Sequence, residues 1–533
     1  MANKKRVKLS DFSKPAEQLT HVSLEDMMPL PPPYDKIEDQ PGWKEIPKET
    51  REKLGGTLDD TIACGLPRPE TPEEEEKLVE KFVSGLNKLL TKENNWTFLQ
   101  PLLLSLEHCA KCQTCVDACP VYEASGYNDI YKPTYRSEIF RRIVNKYAKS
   151  GNKLFNQTID LNYDTISRLL ELSYRCTLCR RCAQTCPVGV DNGLITHEIR
   201  KLFSEELGIA AKEIHETGSV QQLKVGSSTG MNDVVVKDNI EFIDEEMQEF
   251  VDFKIETPWD KEGADVLLLH NAGEILAWPE NPGAFALLLE AAGISWTLSS
   301  EVAGYDGINY GLWYDDAQFA RVAIKHAEAA KKLGVKKIVI GECGHAHKAL
   351  TVIADRVLNG DLNVPRENAM TFLENIVFSG KIKFDPSKND FPVTLHDPCN
   401  LVRLMGVVEP QRRILNYLAP QFREMTPHGV DNYCCGGGSG FAIMSPNNFE
   451  DWRLSISGRK KLKQILDAFS DCPEPETKKY LCAPCSNCKG QIRDLFRYYG
   501  VWEKSGILYS GLVELIVNAM VDIKKPFIEW EFH

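Results

Sequence analysis

Two stretches of this chain repeat one cysteine spacing, and that spacing leaves little freedom for whatever surrounds it. Cys109, Cys112, Cys115 and Cys119 followed by Pro120, and Cys176, Cys179, Cys182 and Cys186 followed by Pro187, each read C-x2-C-x2-C-x3-C-P. A loop of this length folds around an iron–sulfur cubane and offers three thiolates to three irons. The fourth cysteine, held by the turn at proline, points towards a neighbouring cluster. The expected sets are Cys109, Cys112, Cys115 and Cys186 for one [4Fe-4S] cluster, and Cys176, Cys179, Cys182 and Cys119 for a second. Structural zinc, the alternative, uses ligand pairs split by a longer spacer. Pro120 and Pro187 belong to the cofactor-binding turns.

A second constellation lies nearer the C-terminus: His396-Asp-Pro-Cys399, Cys434-Cys435-Gly436-Gly437-Gly438-Ser439, and Pro484-Cys485-Ser486-Asn487-Cys488. Five thiols converge if Cys399 ends one strand, the adjacent pair sits in the glycine loop, and Cys485 and Cys488 follow another strand. Gly436, Gly437 and Gly438, lacking Cβ, are expected to let the backbone approach a bulky cluster. Adjacent thiols plus a C-x-x-C pair suit tetrahedral zinc poorly, and buried free cysteines are the remaining plain reading.

The pattern between these groups divides the chain. Residues 1–94 read as an extended, proline-rich arm and a lead-in helix capped by Thr71 with Pro72 at its first position, burying Leu78, Phe82, Leu86 and Leu89. Residues 95–211 form a helical two-cluster domain, with helices over 136–148 and 165–172. A polar linker is expected over 212–262. From 263 short apolar strands alternate with helices, in two rounds (263–390 and 391–500), as in α/β units. Residues 501–533 read as an amphipathic docking tail through Leu512, Leu515, Ile516 and Met520. The expected fold class is multidomain α plus α/β.

Composition narrows the function classes. A formal charge of -13 argues against nucleic acid as a partner. No run of 18 apolar residues is found, and the basic N-terminus lacks the apolar segment of a signal, so no membrane span and a cytoplasmic location are expected. Clustered cysteines in such a compartment mean metal. No glycine-rich nucleotide fingerprint stands between a strand and a helix, so neither flavin nor NAD is expected in this chain.

Over roughly residues 95–500, the two cysteine runs followed by Cys399, the Cys-Cys-Gly loop and Pro-Cys-x-x-Cys resemble the CCG-domain, or heterodisulfide reductase D, family. Its DsrK-type branch, from the DsrMKJOP complexes associated with sulfite reduction, is the most similar. The resemblance implies a helical ferredoxin domain followed by two α/β CCG repeats. It also implies a third, special [4Fe-4S] cluster, cubane or noncubane, on Cys399, Cys434, Cys435, Cys485 and Cys488. That cluster would cleave or form a sulfur–sulfur bond on a small thiol protein such as DsrC. Electrons would be exchanged with a membrane cytochrome b partner (DsrM-like), with this chain attached peripherally to the inner membrane.

The first repeat departs from the family pattern. Gly273 falls near its first cysteine position, Tyr305-Asp306-Gly307 stands at Cys-Cys-Gly, and Glu342-Cys343-Gly344-His345-Ala346 replaces Pro-Cys-x-x-Cys. It should hold no cluster of its own. Cys343 either faces the intact site as a ligand or redox thiol, or is an inert buried cysteine. His345 and His347 are candidates to protonate a departing thiolate, with ordinary loop histidines as the alternative. Arg403 either steadies an anionic persulfide or is a surface cation. Pairing through Cys482 and Cys485 competes with the preferred Cys485 and Cys488, while Cys64, Cys472 and Cys482 are taken as structural. Two competing functions remain: the iron–sulfur subunit of a flavin-linked hydroxyacid or glycerol-3-phosphate dehydrogenase, which the degenerate first repeat disfavours, and a non-catalytic electron conduit.

Overall fold

The helix that leads into the first cysteine run begins where capping chemistry puts it. Helix α1 (Pro72–Leu89) starts after Thr71, whose hydroxyl accepts the Glu74 N–H, and it buries Phe82, Leu86 and Leu89. The computed structural model describes residues 6–7, 27–36, 39, 66–148, 158–210, 220–227, 229–305, 314–439, 441–442 and 452–531. Cys64, Asp306 and Gly307, with most of the N-terminal arm, lie outside the described residues.

Helices α2 (Leu99–Glu107), α3 (Pro133–Tyr147), α4 (Tyr163–Ser173) and α5 (Asn192–Lys201) pack around the two cysteine loops. Their apolar faces, including Leu102, Phe140, Ile143, Leu169 and Ile195, form one core with α1. Arg136 on α3 donates to Thr196 on α5 at 2.6 Å, tying the inner helices together.

The segment expected as a linker contains α6 (Asp233–Gln248). It is capped by Asn232 and buries Val236, Ile240, Ile243 and Met247. Its sequence looks like a linker because the buried residues form one narrow stripe on an otherwise polar helix. That stripe fits against α7 (Glu280–Ala291), where Gly283 leaves room for the Met247 thioether.

Two four-stranded parallel sheets follow. The first contains β1 (Val266–Leu269), β2 (Trp296–Thr297), β3 (Lys337–Ile340) and β4 (Arg366–Asn368), in the order β2-β1-β3-β4, with α8 (Asp316–Leu333) leading into β3. The second contains β5 (Val393–Leu395), β6 (Phe422–Arg423), β7 (Lys479–Cys482) and β8 (Ile507–Ser510), in the order β6-β5-β7-β8. Counted within each sheet, both orders are 2-1-3-4. Helices α9 (Glu409–Leu418), α10 (Arg459–Ala468) and α11 (Ser486–Tyr499) cover the second sheet.

Residues 501–533 are not a docking tail. Their strand β8 pairs in register with β7, Ile507 opposite Lys479 and Ser510 opposite Cys482. Helix α12 (Val513–Asn518) is wholly buried, with Val513, Leu515, Ile516 and Val517 in the core shared by the two sheets. Strand β8 is four residues long and runs almost directly into the apolar α12, so the stretch from Ile507 reads as one amphipathic segment and does not declare the strand. In the arm, Leu30 and Tyr34 are buried against this second unit, Tyr34 meeting Tyr499 edge to face at 5.8 Å.

Candidate iron–sulfur site

The backbone of the two cysteine loops is shaped alike. Lys111, Gln113, Leu178 and Arg180, at matching places between the cysteines, all take positive φ, between 53° and 67°. Non-glycine residues pay for this conformation, so a feature repeated in both loops needs something at their centre that over-determines it. The thiols gather in crossed sets. Burial and the neighbouring Cys109, Cys186 and Cys112 push the Cys115 thiol up to about 11. Burial, Cys179 and Cys176 do the same to Cys119. Eight sulfurs in two groups, each drawing its fourth member from the other loop, fit two four-iron clusters. Cys112 is exposed, whereas Cys119 and Cys179 lie deeper. Pro120 opens a short helix directly after Cys119, whereas Pro187 lies in an exposed turn closed by Gly189 N–H to Cys186 O at 3.1 Å.

Strand ends deliver the second group. Cys399 lies four residues beyond β5, and Cys485 three beyond β7, at the carboxyl edge where parallel sheets place their sites. Cys399, Cys434, Cys435, Cys485 and Cys488 form one buried cluster of side chains, with Cys179 of the ferredoxin loop packed against it. The thiols lie against one another in a string: Cys179 by Cys434, Cys434 by Cys399 and Cys435, Cys435 by Cys488, Cys488 by Cys485. Cys482 points elsewhere, into the core between the sheets, so the C-x-x-C pair in the cluster is Cys485 and Cys488.

Cys343 lies three residues beyond β3, as Cys485 does beyond β7, and the two thiols meet. The Gly344 N–H points at Cys485 Sγ at 3.3 Å, and Ser486 N–H donates to Glu342 O at 3.0 Å. The structure thus sets Cys343 at the end of the thiol string. His345 is beside Cys485 as well. His347 is not available to protonate anything: Nε2 accepts the Ala369 N–H at 3.1 Å, so the proton sits on Nδ1, 2.8 Å from Cys343 O. Burial pushes its pKa down to about 4.

The glycine loop packs protein on protein as well as lying against the thiols, the Gly436 and Gly437 N–H groups pointing at Cys434 and Cys435 Sγ at 3.4 Å each. A Cβ on Gly436 would fall 2.4 Å from the Gly458 backbone, on Gly437 2.7 Å from the Gln491 side chain, and on Gly438 2.3 Å from the Thr177 carbonyl. The last contact seats the loop on the second ferredoxin loop, and Ser439 Oγ donates to Cys176 O at 3.0 Å beside it.

Arg403 is no surface cation. From the π-helical turn after Cys399, its guanidinium donates to Cys179 O at 2.6 Å and to Val430 O and Asn432 O at 2.9 and 2.8 Å. Burial opposes its charge, but Cys179, Cys399, Cys434 and Cys182 around it prevail and hold it protonated. A further residue that the cysteine spacing alone does not single out is His396, fully buried beside Cys435, where burial and then the charge of Lys461 lower its pKa. Burial pushes Lys461 itself down to about 7. The motif His396-Asp-Pro-Cys399 is the available signal.

Behind Cys343, Glu342 is fully buried and accepts the N–H groups of Leu512 and Val513, while the Asn281 amide bridges it to Glu514. Burial, then the Glu514 charge, push its carboxyl up to about 8. The folded pKa exceeds the unfolded one, so the folded chain holds the extra proton between them. The stability this confers is complete at low pH and lost as pH rises through about 8. Glu342→Gln should therefore flatten the fall in thermal stability between about pH 4.5 and pH 8, removing up to roughly 5 kcal/mol of pH dependence. Melting curves of both proteins across that range check it.

These features define a class: a ferredoxin-type cysteine module joined to a cysteine-rich α/β unit. Residues 105–190 match the family described as 4Fe-4S dicluster domain, and residues 393–493 the family described as Cysteine-rich domain (CCG). The chain is 26% identical to the Hdr-like menaquinol oxidoreductase iron-sulfur subunit 2 of Archaeoglobus fulgidus, over 83% of each chain. It is 27% identical to the corresponding iron-sulfur subunit of Archaeoglobus profundus, over 78% of this chain and 79% of that one. It is also 27% identical to the D subunit of the dihydromethanophenazine:CoB--CoM heterodisulfide reductase of Methanosarcina acetivorans, over 74% of this chain and 89% of that one. These likenesses support a place among the heterodisulfide-reductase-D-like iron–sulfur proteins, with an oxidoreductase role on 4Fe-4S clusters within an electron-transfer complex. Among the described residues no helix is long and apolar enough to cross a membrane.

Proposed function

We propose that this chain is the catalytic subunit of a membrane-associated complex, in which electrons pass between an outer [4Fe-4S] cluster (Cys109, Cys112, Cys115, Cys186), an inner one (Cys176, Cys179, Cys182, Cys119) and a third on Cys399, Cys434, Cys435, Cys485 and Cys488. The observation that carries the reading is the contact between Cys179 and Cys434, which sets a ligand of the inner cluster against one of the third. Bound there, the third cluster supplies one-electron chemistry at sulfur. The substrate is a disulfide or trisulfide on a small thiol protein of the DsrC kind; cleaving one sulfur–sulfur bond takes two electrons and two protons and yields two thiols from a disulfide, or one thiol and one persulfide from a trisulfide, and the reverse forms the bond. Electrons are exchanged with a cytochrome b partner of the DsrM kind, at the cytoplasmic face of the inner membrane.

The division of labour follows from position. Cys343, delivered by the first sheet to the last thiol of the string, is a further sulfur of this centre, and His345 beside Cys485 is the group placed to protonate a departing thiolate. The shared 2-1-3-4 strand order and the matched placement of Cys343 and Cys485 support reading 263–390 and 391–518 as two copies of one unit, the first without its own cluster. The test is iron quantification with electron paramagnetic resonance of the anaerobically purified chain, oxidised with and without a thiol. About twelve irons and an oxidised-state signal altered by thiol are expected; about eight irons and only ferredoxin-type reduced signals, in a preparation shown not to lose iron, would reduce the chain to a two-cluster conduit.

A further inference from the structure

His396 is fully buried at the end of β5, and neither of its ring nitrogens makes a hydrogen bond of ordinary geometry with any described residue. Its backbone is fixed, the N–H donating to Cys482 O at 2.8 Å, so the ring is held where it is. A neutral imidazole carries one donor and one acceptor. Burying both without partners leaves the desolvation cost of each group uncompensated. A native interior leaves such a pair bare only where something else fills the coordination. What faces the ring is sulfur: a ring nitrogen, Cys435 Sγ and Cys488 Sγ all lie within 4.8 Å of one another. All three residues are buried.

Three donors so spaced suit one tetrahedral metal with its fourth position open to a cluster sulfide or an incoming sulfur. We propose that His396 is a nitrogen ligand to the iron held by Cys435 and Cys488, making the third centre a mixed thiolate–imidazole site. This rests on the proposed presence of a cluster at the cysteine-rich centre. Two further features agree with it. Asp397, the next residue, accepts from both Arg412 amino groups at 2.8 and 2.7 Å and from the Gly429 N–H at 2.7 Å, fixing the turn that carries the ring. Cys435 and Cys488 are themselves in contact, so both thiolates can reach one iron. Ligation is donation of the ring lone pair to iron, with no net redox change and no proton lost from a neutral imidazole. Replacing a thiolate's charge by a neutral nitrogen raises the potential of the iron it serves, as histidine ligands do in other iron–sulfur centres.

The experiment is pulsed electron paramagnetic resonance on the full chain grown with 15N-labelled or unlabelled histidine, in the state where the third centre is paramagnetic. The expected spectrum shows the coupling of a directly coordinated imidazole nitrogen, changing with the isotope and lost in His396→Gln. If His396→Gln fails to take up iron, the labelled wild-type chain decides alone. A third centre present by iron count and signal, showing only the weak couplings of hydrogen-bonded or backbone nitrogens, overturns the ligand and leaves the proposed function intact. A chain with about eight irons and no third signal overturns both.

Discussion

Cys119→Ala should abolish electron delivery to the cysteine-rich centre while sparing the cluster held by the loop it belongs to. In the crossed arrangement Cys119 completes the set of Cys176, Cys179 and Cys182, and its thiol is raised by burial and by Cys179 and Cys176 rather than by its own loop. Removing it strips the inner cluster, the one whose Cys179 touches Cys434. Cys186→Ala does the opposite: it removes the outer cluster, which sits with the exposed Cys112, and leaves the inner cluster and the third centre adjacent. Either variant should lose about four irons. They separate under a chemical reductant able to enter at the inner cluster. Disulfide reduction then persists in Cys186→Ala and falls to background in Cys119→Ala. Equal loss in both, or loss of the same cluster signal in both, would overturn the crossed assignment.

Arg403→Met should lower both the stability of the chain and the potentials of the centres around it. The guanidinium satisfies three carbonyls, those of Cys179, Val430 and Asn432, and methionine fills the space without a donor. Three acceptors left to whatever water reaches this half-buried junction cost roughly 1–3 kcal/mol in all. The charge matters separately. It lies among Cys179, Cys399, Cys434 and Cys182, which belong to both the inner and the third proposed ligand sets. Its loss should lower the potentials of both centres, since reduction adds negative charge that Arg403 now offsets. Arg403→Lys keeps the charge but not the fork, so potentials should recover further than the melting temperature. A redox titration and a melting curve on each variant check this; potentials unchanged in Arg403→Met would show the residue to be a brace and nothing more.

How far the sequence discloses all this depends on whether a residue's role is local. The cysteine runs are legible because ligation fixes spacing along the chain, and β3 and α1 because apolar period and capping are written in consecutive residues. Strand β8 escapes because it is four residues long and runs almost directly into the apolar α12, so the stretch from Ile507 reads as one amphipathic segment, and α6 because a helix that buries one narrow stripe looks polar. Arg403 and Gly438 cannot be read at all. Arg403 meets Cys179 across 224 residues, and Gly438 meets Thr177 across a comparable span, so nothing near either position in the chain says what it touches. His347 misleads for a related reason, its second nitrogen being occupied by the backbone of Ala369.

The seat of Gly438 on the Thr177 carbonyl, with Ser439 and Arg403 bonded to either side of the same ferredoxin loop, has a consequence for how the protein is controlled. Some redox proteins ration current by swinging a carrier domain between donor and acceptor. Here the junction is bolted at three points around one pair of touching sulfurs, and an opening wide enough to break the circuit would have to undo all of them together. On the proposed function, throughput would then be set at the two ends, the exposed Cys112 side and the far thiols, with the path between them permanently closed.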